Sequence, residues 1–296
     1  MIGIGNYISW KNKGFDWDAH WATQWYGIQI DESDSSPDLT RIASTDKTNG
    51  DQNIYSVLPV HSLLKGCLLN DDGTVNYYLD SEDWTKKEDG TASNLDGTDG
   101  QVMIEWPDFY YKYESISATV WQIKISLIEW TGFTRVYKHY VSAYQAAMNR
   151  STNKLASVVN TTTTYRGGDN SAAADGTDAT RIGMCVTNIT RTNARTYARA
   201  RGTGWNLYSY NDHKWMFWFF AIEFATLHTQ KTLAIRQKKL LNATGWTSPI
   251  YTIEGGYAIS PLFRNNQITS NLTSGYIMKA GEETSDANDN HLDDLS

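Results

Sequence analysis

Cysteine is nearly absent: Cys67 and Cys185 are the only two in 296 residues. So few do not suggest a disulfide framework, although spacing leaves room for one bridge; two buried free thiols are the expected state. Long apolar runs are lacking as well. The longest, WMFWFFAI at 215–222, falls far short of the ~20 residues a membrane-spanning helix needs. The opening MIGIGNYISWKNK has no apolar core and no cleavage signature. These features predict a chain made in a cytoplasm, without signal-peptide secretion and without membrane insertion. Basic charge is in deficit, with 26 Lys and Arg against 33 Asp and Glu, a net charge of −7. That disfavours a general nucleic-acid role, because phosphate binding wants a basic field. His20, His61, His139, His213, His228 and His291 are scattered singly, so the helix-borne zinc pair is missing. There is no Gly-x-Ser-x-Gly elbow and no glycine-rich phosphate loop ending in Lys-Ser or Lys-Thr. No repeat period marks a solenoid or propeller.

Aromatic residues are abundant, with 12 Trp and 18 Tyr. Such side chains bury large areas and also dominate binding surfaces. Core packing and cross-strand pairs account for most of them. The densest stretch is LDGTDGQVMIEWPDFYYKYE, residues 95–114. Gly97 and Gly100 supply turn chemistry. Val102, Ile104 and Trp106 then share one face of a strand, with Met103 and Glu105 on the other. Pro107 breaks that strand, and Phe109, Tyr111 and Tyr113 restart the alternation. A strand this aromatic needs a sheet, a helix or another subunit against it.

Elsewhere the pattern is mixed. Trp17, Trp21 and Trp25 recur every four residues and would make one aromatic stripe on a helix. A short segment cannot bury such a stripe by itself. It folds back on the main body or docks another chain, and these three are the candidate assembly interface. Residues 31–53 read as polar loops around a short strand. From Tyr55 to Glu114 the pattern is β, punctuated by the turn dipeptides Asp72-Gly73, Asp89-Gly90 and Asp96-Gly97. Residues 118–128 form a strand with Trp121, Ile123, Ile125 and Leu127 on one face. A helix is expected at about 138–149, from the spacing of Tyr140, Val141, Tyr144 and Met148. Residues 151–180 read as a long polar loop. A short helix follows at 192–200, capped by Thr192 or Asn193 and ended by Gly202. The strongest helix spans about 212–229, with Asp212 as N-cap and apolar residues round most of its circumference. Residues 250–280 return to short β-like runs. The last sixteen residues, GEETSDANDNHLDDLS, hold six acids and no Lys or Arg. Alone, such a tail is expected to be disordered; were it ordered, a neighbouring subunit would be the natural candidate to hold it. The predicted organisation is an aromatic docking segment with loops at 1–53, an α+β domain at 54–280 and an acidic tail at 281–296.

Catalytic and metal chemistry find little support. NDDG and LDGTDG lack the alternate carboxylates and distal glutamate of a calcium loop, and read as turns. Glycoside hydrolysis needs two facing carboxylates. Glu105, Asp108, Glu114, Glu129 and Glu223 are the acids in aromatic or apolar settings. Against that role, Glu105 points to solvent by alternation, and Glu223 is paired by one of Arg191, Arg195, Arg199 or Arg201. These four arginines are a basic cluster, with Arg191, Arg195 and Arg199 aligned at i, i+4 and i+8. An intersubunit salt-bridge ladder or simple solvation suits them better than nucleic acid. Binding remains. Trp205, Tyr208 and Tyr210 follow the Gly202-Thr203-Gly204 turn in a loop anchored by a helix, a good place for ligand or partner anchors. Trp246 joins them as a fourth candidate. No metal and no cofactor is expected.

A family resemblance is carried by several segments in order. These are YGIQIDESDSSPDLTRI (26–42), LPVHSLLKGCLLNDDGTVNYYLDSEDW (58–84), the aromatic stretch 95–114, KISLIEWTGFTRVYKHYVSAYQA (124–146), KLASVVNTTTTYRGGDN (154–170), ITRTNARTYARARGTGW (189–205) and WMFWFFAIEFATLHTQ (215–230). Together they resemble a family common in phages and prophages of gut Bacteroidales. Its members are tail or fibre components similar to the C-type-lectin-like, sulfatase-modifying-factor-like fold. After Gln230 the chain departs from the family's glycine-rich loops. The calcium triplets of sugar-binding lectins are not in the chain, and neither Cys67 nor Cys185 stands where the formylglycine-generating relatives keep their cysteine pair. The resemblance implies twisted antiparallel strands packed on two main helices. It also implies a non-enzymatic virion protein of a tail, fibre or collar, made in the host cytoplasm. Such a protein acts by subunit assembly, as a homotrimer by analogy, alongside other virion proteins and with recognition of a host surface glycan or protein. The alternatives are a purely structural adaptor and a polysaccharide depolymerase.

Overall fold

The structure is a computed structural model. It describes residues 22–44, 58–158 apart from 82, 145 and 150, 186 and 189–227, with the backbone of two short strands at 269–271 and 275–277. It is strand-rich α+β, with antiparallel sheets and two α-helices among the described residues.

The strands are β1 (Trp25–Asp31), β2 (Thr40–Ala43), β3 (Lys65–Leu69), β4 (Val75–Tyr78), β5 (Gln101–Trp106), β6 (Phe109–Ser115), β7 (Val120–Ser126), β8 (Thr134–Val136), β9 (His139–Ser142), β10 (Ala147–Asn149), β11 (Lys154–Ala156), β12 (Thr269–Asn271) and β13 (Gly275–Ile277). One sheet runs β2-β1-β7-β6-β8 and the other β4-β3-β5-β9, while β10-β11 and β12-β13 are hairpins. Pro107 ends β5, and the chain passes at that point from the four-stranded to the five-stranded sheet. The two faces divide as expected, but both are covered: Val102, Ile104 and Trp106 are wholly buried in one cluster, while Met103 is buried and Glu105 half-buried on the opposite face. The Asp-Gly dipeptides are turns, with Gly73, Gly90 and Gly97 at positive φ. Gly66 in β3 is required by packing, since a Cβ there would lie 2.8 Å from the ring of the buried Trp84.

Helix α1 (Arg191–Arg199) starts from Thr190, whose hydroxyl accepts from the Asn193 N–H at 3.2 Å. The cap is therefore earlier than Thr192 or Asn193. Helix α2 (Tyr210–Phe224) is capped by Ser209 rather than Asp212. Asp212 closes a capping box, its carboxylate accepting from the Ser209 N–H at 2.8 Å. The helix stops short of the expected 229 because Ala225 turns left-handed at φ 50°. The segment before β2 then takes up its last polar groups. Leu39 N–H donates to the Ala225 carbonyl, Leu227 N–H to Pro37, and the Arg41 guanidinium to the Glu223 carbonyl.

Three further expectations are corrected. No helix occupies 138–149. Residues 139–142 form β9, paired with β5 so that Ile104 faces Val141 and Glu105 faces Tyr140. Two short β-runs flanking a bend reproduce a helical spacing, and the exposed edge of β5 needed a backbone partner. The polar stretch from 151 begins with β11, hairpin partner of β10. Trp25 opens a strand and not a helical turn, so the four-residue stripe does not extend to it; Trp17 and Trp21 lie outside the described residues.

One core joins both sheets to α2. It holds Tyr26 and Ile28 of β1, Ile123 and Ile125 of β7, Trp106, Phe109, and Phe219, Phe220 and Ile222 of α2. At its centre a polar chain crosses apolar surroundings. Val60 N–H donates to Tyr26 Oη at 3.0 Å, and Tyr26 Oη lies 2.8 Å from His61 Nδ1. His61 Nε2 lies 3.0 Å from the Phe219 carbonyl. A carbonyl only accepts, so Nε2 carries the proton and Nδ1 accepts from the tyrosine. Tyr26→Phe removes the middle link and leaves buried partners unsatisfied. It is expected to cost about 1–3 kcal/mol in denaturant unfolding; an unchanged unfolding midpoint would contradict this network.

Candidate functional site

The loop after α1 forms a broad, open cleft of about 610 Å³, lined by Arg199, Gly202, Thr203, Gly204, Trp205 and Asn206. Its floor is rigid for identifiable reasons. Arg201 is buried. Its guanidinium donates through Nε to the Leu155 carbonyl and through Nη1 to Asp71 Oδ1 at 2.7 Å. Lys154 donates to the other Asp71 oxygen at 2.8 Å. Trp205 Nε1 donates to the Asp71 backbone carbonyl at 2.8 Å, and its ring lies under the Arg201 guanidinium. Gly202 allows this closure, since a Cβ would come within 2.5 Å of the same Asp71 carbonyl. Thus the β3–β4 turn, the β10–β11 hairpin and the end of α1 meet at Asp71. Burial alone would raise the Asp71 carboxyl, but the Lys154 hydrogen bond and the Arg201 charge hold it below the usual carboxylate range.

Of the expected binding residues, Trp205 lines the cleft. Tyr208 leans on the first turns of α2, its hydroxyl 3.3 Å from the Met216 sulfur. Burial and the Asp212 charge push its phenol upward. Tyr210 is 78% exposed at the start of α2. Neither tyrosine lines the cleft. Trp246 lies outside the described residues.

A second surface was legible only in pieces. Tyr113 of β6 stacks on Trp121 of β7 (5.4 Å, 4°) and on Trp218 of α2 (5.7 Å, 14°). Trp218 meets Tyr111, which meets Trp215. Lys214 Nζ lies over Trp218 at 4.9 Å and over Tyr111 at 5.4 Å. The belt of tyrosines therefore has α2 as its partner surface, with one lysine laid across the rings.

Three of the carboxylates considered for hydrolysis, Glu105, Asp108 and Glu114, are engaged otherwise, and Glu129 is exposed. Glu105 is not free in solvent: Oε2 accepts from Lys138 at 2.6 Å and from Tyr78 at 2.9 Å. Asp108 pairs with Arg135 at 3.3 Å, and Glu114 with Lys112 and Lys124. Glu223 is buried in α2, and its nearest described arginine is Arg41 on the helix carbonyl, while Arg201 is taken by Asp71. Burial works to raise Glu105, but its Lys138 and Tyr78 hydrogen bonds prevail and lower it. The Lys112 and Lys124 bonds lower Glu114. In turn burial and Glu105 push Tyr78 up to about 12, and burial with the Glu105 charge pushes the enclosed Cys67 thiol up to about 12. Among the described residues, no three His, Cys, Asp or Glu side chains gather to hold a metal ion. No described helix is long and apolar enough to cross a membrane.

Asp71, Glu105 and Glu114 all have folded values below their unfolded ones. The stability they contribute is complete above the unfolded carboxylate range of ~4 and is lost as pH falls through the depressed values. The denaturant midpoint should therefore drop between pH ~5 and ~3, and Glu105→Gln should flatten that slope. A slope unaltered by the substitution counts against the pairing.

Set against known proteins, the chain matches no family model, no curated protein and no solved structure.

Proposed function

We propose that this chain is a non-enzymatic phage virion protein of C-type-lectin-like character, part of a tail, fibre or collar. It acts by subunit assembly and by recognising a glycan or protein on the host surface. The resemblance running through residues 26–230 supports the virion assignment. The observation that carries the recognition half is the Trp205 cleft: an aromatic ring and loop backbone held from below by Asp71, Lys154 and Arg201. Such preorganisation lowers the ordering cost of binding, and loops on a rigid scaffold are where recognition concentrates.

A non-enzymatic reading is supported by the state of the acids. A general acid for glycoside cleavage needs a raised carboxyl, whereas Glu105 and Glu114 are lowered by their lysines. Assembly as a homotrimer with other virion proteins follows the analogy with tail fibres.

Full-length protein is expected to bind gut Bacteroidales cells or their extracted surface polysaccharide. Thr203→Trp, an exposed cleft position filled by a large ring, should weaken binding at least about tenfold without lowering the thermal midpoint. Binding that survives this substitution, or no binding by the parent, would count against recognition at the cleft.

A further inference from the structure

Helix α1 shows two unlike faces. Ala194, Tyr197 and Ala198 pack against Met148 and Leu155 of the β10–β11 hairpin. Arg191, Arg195 and Arg199 are exposed on the other side. Four residues on a helix rise about 6 Å, so the three guanidinium groups form a row about 12 Å long that ends at the cleft, which Arg199 lines.

This row is chemically singular among the described residues. Every other described lysine or arginine has a carboxylate, a carbonyl or a ring. Lys65, Lys86, Lys112, Lys124, Arg135, Lys138, Lys154 and Arg201 pair with acids. Lys87 and Lys214 lie over aromatic rings, and Arg41 donates to a carbonyl. The three arginines of the row have none of these among the described residues. They stand together on one helix of a net-acidic chain, without a described acid to neutralise them.

The sequence holds their complement. Residues 281–296 carry six of the seven net negative charges and no Lys or Arg. Glu282, Asp286, Asp289 and Asp293 are separated by four, three and four residues. The tail also ends in Leu292 and Leu295 between its acids.

We propose that the arginine row of α1 is an assembly surface whose occupant is the acidic C-terminal segment 281–296 of a second copy of this chain. The proposal rests on the assembly half of the function given above. Arg-carboxylate pairs form bidentate, geometrically specific contacts, and an exchange in which each copy gives its tail to the next is a head-to-tail contact that closes into a ring. Exposed pairs are individually weak, so the contact is cooperative in number and sensitive to salt.

The test uses the full chain and measures its mass in solution across concentration. The parent should associate at low salt and dissociate toward monomer at ~0.5 M salt. Arg191→Gln with Arg195→Gln, both outside the cleft, should raise the dissociation constant about tenfold or more while the thermal midpoint of the folded body stays. Neutralising Asp286, Asp289, Asp293 and Asp294 to Asn should do the same, and the two sets combined should add little. Reversal decides between copies: a chain with Arg191→Glu and Arg195→Glu should associate with a second chain bearing lysines at the four tail positions, and neither alone. A parent that is monomeric throughout, a dissociation constant untouched by either set, or reversal that needs no mixing each overturns the proposal. Retained cleft binding in the Arg191 and Arg195 variant keeps such a failure separate from any failure of host recognition.

Discussion

The whole arrangement depends on one ring. Phe219 of α2 stacks on Trp106 at 4.8 Å, meets Phe109 edge-on at 5.1 Å and lies 4.7 Å from His61. Trp106 ends the central strand of one sheet, and Phe109 begins a strand of the other. The helix therefore closes the corner at which the chain leaves one sheet for the next. Its own carbonyl at the same residue is tied to the His61–Tyr26 pair. Apolar burial supplies the main attraction, and the polar chain fixes how the helix is seated. The loop bearing Trp205 feeds directly into α2, so the cleft inherits its position from this joint.

Outside the core, the surplus of aromatic residues is managed by cations. Lys124 lies over Trp25, Lys87 over Tyr77, Arg135 over Tyr137 and Lys214 over three rings. Each covers a π-face, and Lys124 and Arg135 also hold a carboxylate. Among the described residues, the uncovered arginines of α1 are the exception to that background.

How much of this was legible beforehand varies with the physics involved. Strands β5, β6 and β7 could be read because alternate residues differ in character along the chain and Pro107 marks the break. Helix α2 could be read from its apolar stretch following Asp212, although the cap itself is Ser209. The region of β9 and β10 could not, because Tyr140 and Val141 are pointed to opposite faces by pairing with β5, which is distant in sequence. Trp205 was identified from its place after a glycine turn. Its support was not: Asp71, Lys154 and Arg201 are separated by up to 130 positions and meet only through topology. A repeated local signal did exist. Asp72, Asp83 and Asp89 each accept from the backbone N–H and hydroxyl of a threonine two residues on, so an Asp-x-Thr pattern marks the turns here.

The central claim is that surface rings of this chain serve contact with other molecules in a particle. Radical footprinting of the protein, free and within purified phage particles, tests it most directly. Tyr113, Tyr137, Tyr208 and Tyr210 are exposed in the isolated chain. The account predicts that some of them become protected from oxidation when the chain is assembled, together with the arginine face of α1. Equal oxidation in both states, or particles that contain none of this chain, would contradict it.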